Sequence, residues 1–253
     1  MKKIIAIIPA YNEQEAIGKV VCDVKKHIPE ADILVINDGS ADLTETRAKE
    51  CGALVISLPY NLGIGGAVQT GYKYAKDFGY DIAIRFDGDG QHPSADAHKL
   101  LEPIECEQAD VVIGSRYIKI GEESEKSYRS SFCRLWGAKF FGFITSCIVH
   151  QKIADTTSGF QAVNRRVIEF YENEYPSDYP EVETIPLLHR AGFRILEVPV
   201  AMQQRQAGKT SITPIKSAYY VIKVLLSLFI GLLRKVPKVK SEEAVYEVKH
   251  SPL

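Results

Sequence analysis

The sequence predicts an α/β protein whose mostly parallel sheet carries helices on both faces. Over the first 115 residues, short apolar runs rich in β-branched side chains alternate four times with stretches of helical spacing. Those runs lack strict apolar and polar alternation, as strands buried on both faces do. A polar loop follows each run, and ligands in such sheets sit beyond the carboxyl ends of the strands.

Ile4 to Ile8 forms the first expected strand, and Glu13 to His27 the first helix. Ile33 to Ile36 is followed by helical spacing over Leu43 to Cys51, and Leu54 to Ser57 by Gly65 to Phe78. Ile82 to Phe86 leads into Ala95 to Cys106, and Val111 to Ile113 closes the series. The loops after these five runs are Pro9 to Glu13, Asn37 to Asp42, Pro59 to Gly66, Asp87 to Gln91 and Gly114 to Tyr117. Each alone reads as a helix cap or a turn. Their recurrence at every strand end favours one shared site.

Residues 118 to 129 are polar and charged, a stretch expected as a loop. Phe132 to Val149 then carries Leu135, Trp136, Phe140, Phe141, Phe143, Ile144 and Ile148, a helix apolar on most of its circumference that is either buried or lies in lipid. A helix through Glu169, an acidic proline-containing segment from Tyr175 to Glu183 and a strand pair around Arg194 to Met202 follow. The last helix has clear boundaries. Thr213 is placed to cap it, Pro214 suits its first turn and Pro237 ends it, for a length of roughly 33 Å at 1.5 Å per residue. Lys223 at mid-helix argues against a membrane span, because a central lysine costs about 2.5 to 3.5 kcal/mol on insertion. An amphipathic helix lying in a membrane interface fits better, with a core helix or a dimer contact as the alternative.

The chain has 253 residues, 31 Lys and Arg against 32 Asp and Glu, a balance that gives no field to attract nucleic acid. Cys22, Cys51, Cys106, Cys133 and Cys147 are scattered and make no C-x-x-C pair, so they read as reduced cytosolic thiols. The apolar run at Ile4 is too short for a secretory leader.

In Arg85-Phe86-Asp87-Gly88-Asp89-Gly90-Gln91, two carboxylates one residue apart follow an apolar run. Mg²⁺ takes one or two protein carboxylates and completes its shell with substrate phosphates and water, so this D-x-D points to nucleotide or nucleotide-sugar chemistry. An ordinary acidic turn also accounts for it when taken alone.

Six ordered motifs together resemble an inverting family 2 glycosyltransferase, of the dolichyl-phosphate mannose synthase and polyprenyl-phosphate glycosyltransferase branch. They are Ile8 to Glu13, Asn37 to Ser40 with Asp42, Asn61-Leu62-Gly63, Asp87 to Pro93, Gly114 to Tyr117, and Asp155 with Thr157 to Phe160; Arg205 with Gly208-Lys209 follows them. The resemblance implies an A-type glycosyltransferase fold with a Rossmann-like sheet. It implies that Pro9, Tyr11 and Glu13 border the nucleotide, that Asp38 receives the base or ribose, and that Asp87 and Gly88 lie against ribose and phosphate. Asp89 and Gln91 match metal positions for Mg²⁺ or Mn²⁺, with Asp87 a further ligand, and Arg205 and Lys209 would clamp diphosphate oxygens. Arg116 and Arg129 match positions that meet a polyprenyl phosphate acceptor, and Glu183 a glutamate near the reaction centre. The implied donor is GDP-mannose or a UDP-hexose.

Asn37 stands where many relatives have Asp, and Cys133 where the mannose synthases often have serine. The pairs of transmembrane helices that some relatives append have no counterpart, so a peripheral protein on the cytoplasmic face of the membrane is expected. The catalytic domain would cover residues 1–211, the membrane-associating helix 212–237 and a flexible tail 238–253.

Three rival readings stand beside this one. A saccharide or soluble acceptor in cell-surface polysaccharide synthesis would present a hydroxyl and need a base, for which Glu183 or Glu181 is the candidate. A dinucleotide oxidoreductase rests on Gly63-Ile64-Gly65-Gly66, which lacks the required G-x-G-x-x-G spacing and follows the third strand. A noncatalytic nucleotide-sugar-binding membrane scaffold has no chemical need for Asp87, Asp89, Gln91, Arg116 and Arg205 together.

Overall fold

A computed structural model describes residues 2–118, 132–202 and 214–239, with side chains on the two helices beside the gaps described from 140 and from 221. The elements are β1 (Ile4–Ala10), α1 (Ile17–His27), β2 (Asp32–Asn37), α2 (Thr44–Glu50), β3 (Leu54–Ser57), α3 (Gly63–Asp77), β4 (Ile82–Arg85) and α4 (Ala97–Glu105). They continue with β5 (Val111–Ser115), α5 (Phe132–Val149), β6 (Gln161–Asn164), α6 (Arg165–Glu174), α7 (Pro180–Ala191), β7 (Ile195–Pro199) and α8 (Pro214–Leu233). Among the described residues seven strands make one sheet in the order β3-β2-β1-β4-β6-β5-β7, and of these only β6 runs against its neighbours, β4 and β5.

The apolar alternation along β1 shows why helices cover both faces. Ile4, Ala6, Ile8 and Ala10 join α1 and α4 in one buried cluster, whereas Ile5 and Ile7 join α3, α6 and α7 in another. Burying each isoleucine fully contributes roughly 1.5 to 3 kcal/mol. A smaller cluster unites Phe141 of α5, Val182 of α7 and Val224 and Leu228 of α8.

Strand register places the site. Ala10 lies opposite Asn37, which lies opposite Ser57, and Ile7 lies opposite Arg85. The ends of β1 to β4 therefore share one rim. Because β6 is reversed, it begins at that rim: Gln161 pairs with Arg85 on one side and Ile113 on the other. This reversal delivers Asp155 to Phe160, the segment before β6, to the ends of β4 and β5.

The structure departs from expectation in four places. β3 is an edge strand with Leu54 half exposed, because only β2 pairs with it. Gln161–Asn164 is a strand that the sequence reading did not separate from its surroundings. The acidic proline segment contains the start of α7, with Pro180 in the first turn where its missing N–H costs nothing. In place of a strand pair around Arg194 to Met202, the described residues have the single strand β7, parallel to β5. The Val239 N–H donates to the Ala191 carbonyl at 3.0 Å. Residues 240–253 lie outside the described residues.

Candidate active site

The loops after β1 and β2 bind each other through side chains that cap backbone amides. The Asn12 N–H donates to Ser40 Oγ at 2.9 Å and the Ala41 N–H to Asn12 Oδ1 at 2.9 Å. The Glu13 N–H donates to Thr44 Oγ1 at 2.9 Å and the Gln14 N–H to Asp42 Oδ2 at 3.2 Å. Burial raises the Asp42 pKa, but its hydrogen bonds to Thr44 and Gln14 hold it net below the ordinary carboxylate range.

Asp38 follows β2 and is buried. Its two oxygens accept the N–H groups of Leu62 at 2.7 Å and Gly63 at 2.9 Å, the entry to α3. Gly39 beside it has φ of 69°, and a Cβ there would lie 2.8 Å from the Asn61 nitrogen. A side chain is thus excluded on both counts.

Arg85, the last residue of β4, is 2% exposed. A guanidinium in a strand that otherwise reads Ile-Ala-Ile needs partners, because an unpaired buried charge is strongly unfavourable. Its Nη1 donates to the Tyr175 hydroxyl at 3.1 Å, and its Nη2 donates to Asp87 Oδ1 and to Glu181 Oε1, each at 3.1 Å. Gly159 makes room for it, since a Cβ there would lie 2.8 Å from Nη2.

Asp87 has a second partner. Its N–H donates to His92 Nδ1 at 2.9 Å, and His92 Nε2 lies 3.2 Å from Asp87 Oδ2. The His92 ring stacks on buried Phe160 with centroids 5.2 Å apart. Accepting an amide proton requires a lone pair on Nδ1, so the geometry selects neutral imidazole. Burial likewise depresses the His92 pKa, the nearby Asp87 charge opposing it. For Asp87, burial pushes the pKa up, but the adjacent His92 ring and the Arg85 guanidinium that donates to it bring it net below the ordinary value.

Asp89 Oδ1 accepts the Gln91 N–H at 3.1 Å. Pro9, Tyr11, Glu13, Asp38, Asp87, Gly88 and Asp89 line a single cavity of about 360 Å³, and Arg85 and Glu181 complete its wall. Gly88 lets β1 approach, a Cβ there lying 3.0 Å from the Pro9 carbonyl oxygen. Gln91 is not on the cavity wall; its backbone orients Asp89. Arg205, Lys209 and Arg129 lie outside the described residues.

Arg116 follows β5. Its backbone N–H, Nε and Nη2 donate to the fully buried Asp155 carboxylate at 3.1, 2.7 and 2.7 Å, and Nη2 also reaches Thr157 Oγ1. Asp155 is held in turn by its own N–H, which donates to Glu197 Oε1 at 2.8 Å. Burial raises the Glu197 pKa, and the bonds from Ala154 and Asp155 oppose that rise. The Arg116 charge contributes to lowering the Asp87 pKa, so both belong to one electrostatic cluster.

Glu183 lies away from the cavity that Asp87 and Asp89 line. It sits on α7, but its Oε1 accepts the Ser227 hydroxyl of α8 at 2.6 Å, and it lines a separate cavity of about 180 Å³ with Arg190 and Arg234. Burial raises its pKa. Two residues earlier on the helix, Glu181, the other candidate base, lies on the cavity wall. Arg85 and His92 carried no assigned role in the sequence reading. A lone charge in an apolar strand was the available signal for Arg85; for His92 there was none beyond its place after the D-x-D.

Among the described residues no three His, Cys, Asp or Glu side chains form a self-sufficient metal cage. Asp89 on the cavity wall, with Asp87 beside it, does fit a cation that takes one or two carboxylates and draws the rest of its shell from phosphate oxygens. Arg85 and His92 already occupy both Asp87 oxygens. Asp89 is therefore the stronger candidate ligand.

The sequence matches the model of Glycosyl transferase family 2 over residues 5–171. The chain belongs to that family. This glycosyltransferase is 28% identical to the polyprenol monophosphomannose synthase of Mycolicibacterium smegmatis, over 87% of this chain and 86% of the relative. It is also 28% identical to the UDP-N-acetylglucosamine–dolichyl-phosphate N-acetylglucosaminyltransferase of Methanococcus voltae, over 91% and 97%. Its fold is that of the glucosyl-3-phosphoglycerate synthase of Mycobacterium tuberculosis, solved with Mn²⁺, UDP and glucosyl-3-phosphoglycerate, at a TM-score of 0.66, 19% identity, and coverage of 90% of this chain and 80% of that one. The sheet is thus the A-type glycosyltransferase sheet with one reversed strand.

Proposed function

We propose that this glycosyltransferase moves a hexosyl group, with inversion, from a nucleoside-diphosphate sugar to a polyprenyl phosphate at the cytoplasmic face of a membrane. One observation carries the proposal: α7 has the cavity on one side, through Glu181, and a helix layer with exposed apolar side chains on the other, through Val182. In that layer Phe143 of α5 and Ile222, Phe229 and Leu233 of α8 are each more than 60% exposed. No described helix is long and apolar enough to cross a membrane. Such a face suits a surface-bound enzyme drawing a lipid acceptor to its site. The names of the two relatives support a lipid phosphate acceptor and differ in the sugar, so the donor is left as GDP-mannose or a UDP-hexose.

The cavity wall carries Glu13, Asp38, Asp87, Asp89 and Glu181 against the single described guanidinium of Arg85, itself shared between two carboxylates. A diphosphate entering such a wall needs added positive charge. Asp89, with Asp87, would hold Mg²⁺ or Mn²⁺, which when bound would neutralise the departing diphosphate. Pro9, Tyr11, Glu13 and Gly88 would border the nucleotide, Asp38 would fix base or ribose, and Arg205 and Lys209 would add charge to the diphosphate.

The acceptor phosphate oxygen attacks the anomeric carbon from the side opposite the diphosphate. A new carbon–oxygen bond forms as the bond to the diphosphate breaks, and the electron pair leaves with the diphosphate. Such an acceptor is ionised near neutral pH and needs positioning more than a base. Arg116, oriented by Asp155 and Thr157, would supply that positioning together with Arg129. The catalytic domain would span residues 1–211, with 212–237 as its membrane-associating helix.

A hydroxyl acceptor is the second reading, favoured by Glu181 on the cavity wall, where a base would be required. Incubation with GDP-mannose, UDP-glucose or UDP-N-acetylglucosamine and polyprenyl phosphate in vesicles should yield a lipid-linked sugar by mass spectrometry. Transfer to saccharides alone would replace the proposal with the second reading. An Asp89→Ala variant with full turnover in EDTA would remove the metal from it.

A further inference from the structure

The cavity reading leaves one buried charge without a task. Arg85 is 2% exposed and touches both ends of the donor wall, Asp87 in the loop after β4 and Glu181 in the first turn of α7. A single nitrogen, Nη2, serves both carboxylates at 3.1 Å, while Nη1 is steadied by the Tyr175 hydroxyl. Three tyrosines, Tyr72, Tyr171 and Tyr175, pack as a cluster with ring centroids 4.8 to 5.4 Å apart. The Tyr72 hydroxyl and Arg85 Nε are buried there with no hydrogen-bond partner among the described residues.

We infer that Arg85 is the positioning residue of the donor site, the cation that sets the pose of Asp87 and fixes α7, with Glu181, against the end of β4. Arginine is required rather than lysine because three partners lie around one planar fork, and a point charge cannot meet all three in fixed directions. Nor does the site tolerate displacement of that fork, since the backbone at Gly159 is already close enough to exclude a Cβ. Arg85 itself need not touch the sugar. It acts through the two carboxylates that do line the cavity. The inference rests on reading the cavity as the donor site and is independent of the acceptor.

The test compares the unaltered protein with Arg85→Lys, Arg85→Met, Glu181→Gln and Tyr175→Phe. Binding of UDP and of GDP, each with Mn²⁺, is measured by calorimetry, and melting temperature is recorded for every variant. Arg85→Lys should fold and weaken nucleotide binding at least about tenfold, close to 1.4 kcal/mol. Arg85→Met should lower kcat by about 100-fold, the scale of an ångström misplacement of a reacting group. Tyr175→Phe keeps both carboxylate contacts and should raise donor KM with kcat retained. A purely structural plug would instead lower the melting temperature and leave the affinity and kcat of the folded fraction unchanged, and that result in Arg85→Lys and Tyr175→Phe together would overturn the inference. Unaltered affinity in Glu181→Gln would overturn its α7 half. If the unaltered protein bound neither nucleotide, the donor reading itself would fall and this inference with it.

Discussion

Replacing His92 by Phe should remove an acid-sensitive contribution to stability. His92 has a side chain only 4% exposed, its ring is stacked on Phe160, and its Nδ1 lone pair is engaged by the Asp87 N–H. A proton on Nδ1 would face that N–H and break the bond. The folded state therefore resists protonation, and its pKa lies below the ordinary value of 6.5. Below pH 6.5 the unfolded chain binds this proton and the folded chain does not, so stability falls with acidity. The loss begins at 6.5, approaches about 1.4 kcal/mol per pH unit, and stops once pH passes below the folded pKa. His92→Phe preserves the stacking surface but cannot titrate. Its stability at pH 7.5 should be lower by about 1 to 3 kcal/mol, because the buried Asp87 N–H loses its acceptor. Urea unfolding at pH 7.5, 6.5 and 5.5 in EDTA measures both terms. Equal slopes for the two proteins over that range would refute a buried neutral His92.

Three other outcomes follow from the same geometry. Asp155→Ala leaves the Arg116 guanidinium without its buried counter-charge and should cost about 3 to 5 kcal/mol in chemical unfolding, a figure that a value near zero would contradict. Gly159→Ala places a methyl 2.8 Å from Arg85 Nη2, so donor KM should rise while the far-ultraviolet circular dichroism is unchanged. Replacing Ile222, Phe229 and Leu233 of α8 together by Ser should abolish vesicle flotation without altering the melting temperature by more than a few degrees, since all three are exposed. Unchanged flotation would place the membrane contact elsewhere.

Most of the sheet was legible because each strand carries its own apolar run, and each run is bounded by a loop whose residues have a backbone reason to be there. β6 was not legible. Gln161-Ala162-Val163-Asn164 has two polar residues in four, and its burial comes from lying between β4 and β5, which no local pattern encodes. The residues expected at the donor line one cavity because strand ends in a parallel sheet meet at one rim. Glu181 and Glu183, the two candidate acids of α7, part for a geometric reason: residues two apart on a helix face about 200° away from one another, so Glu181 lines the cavity while Glu183 turns to α8. Asp38 shows a different shortfall: its carboxylate first completes the start of α3, a duty visible only once Leu62 and Gly63 are folded beside it.

That short stretch of α7 also links the two halves of the proposed reaction. Glu181 meets Arg85 at the donor wall, Val182 enters the apolar cluster with Phe141, Val224 and Leu228, and Glu183 receives the Ser227 hydroxyl of α8. Three consecutive residues thus fasten one helix turn to the proposed donor cavity, the helix layer and α8. A rigid-body shift of α8 would be carried into Glu181 through a buried contact and a hydrogen bond rather than lost in a loop. Membrane contact and nucleotide affinity should accordingly be coupled, and the coupling must be reciprocal. The Kd of UDP or GDP with Mn²⁺, measured with and without anionic vesicles, should differ for the unaltered protein. In Ser227→Ala, which removes the hydroxyl from Glu183, that difference should shrink. Identical affinities with and without vesicles in the unaltered protein would mean that α7 transmits nothing between the two sites.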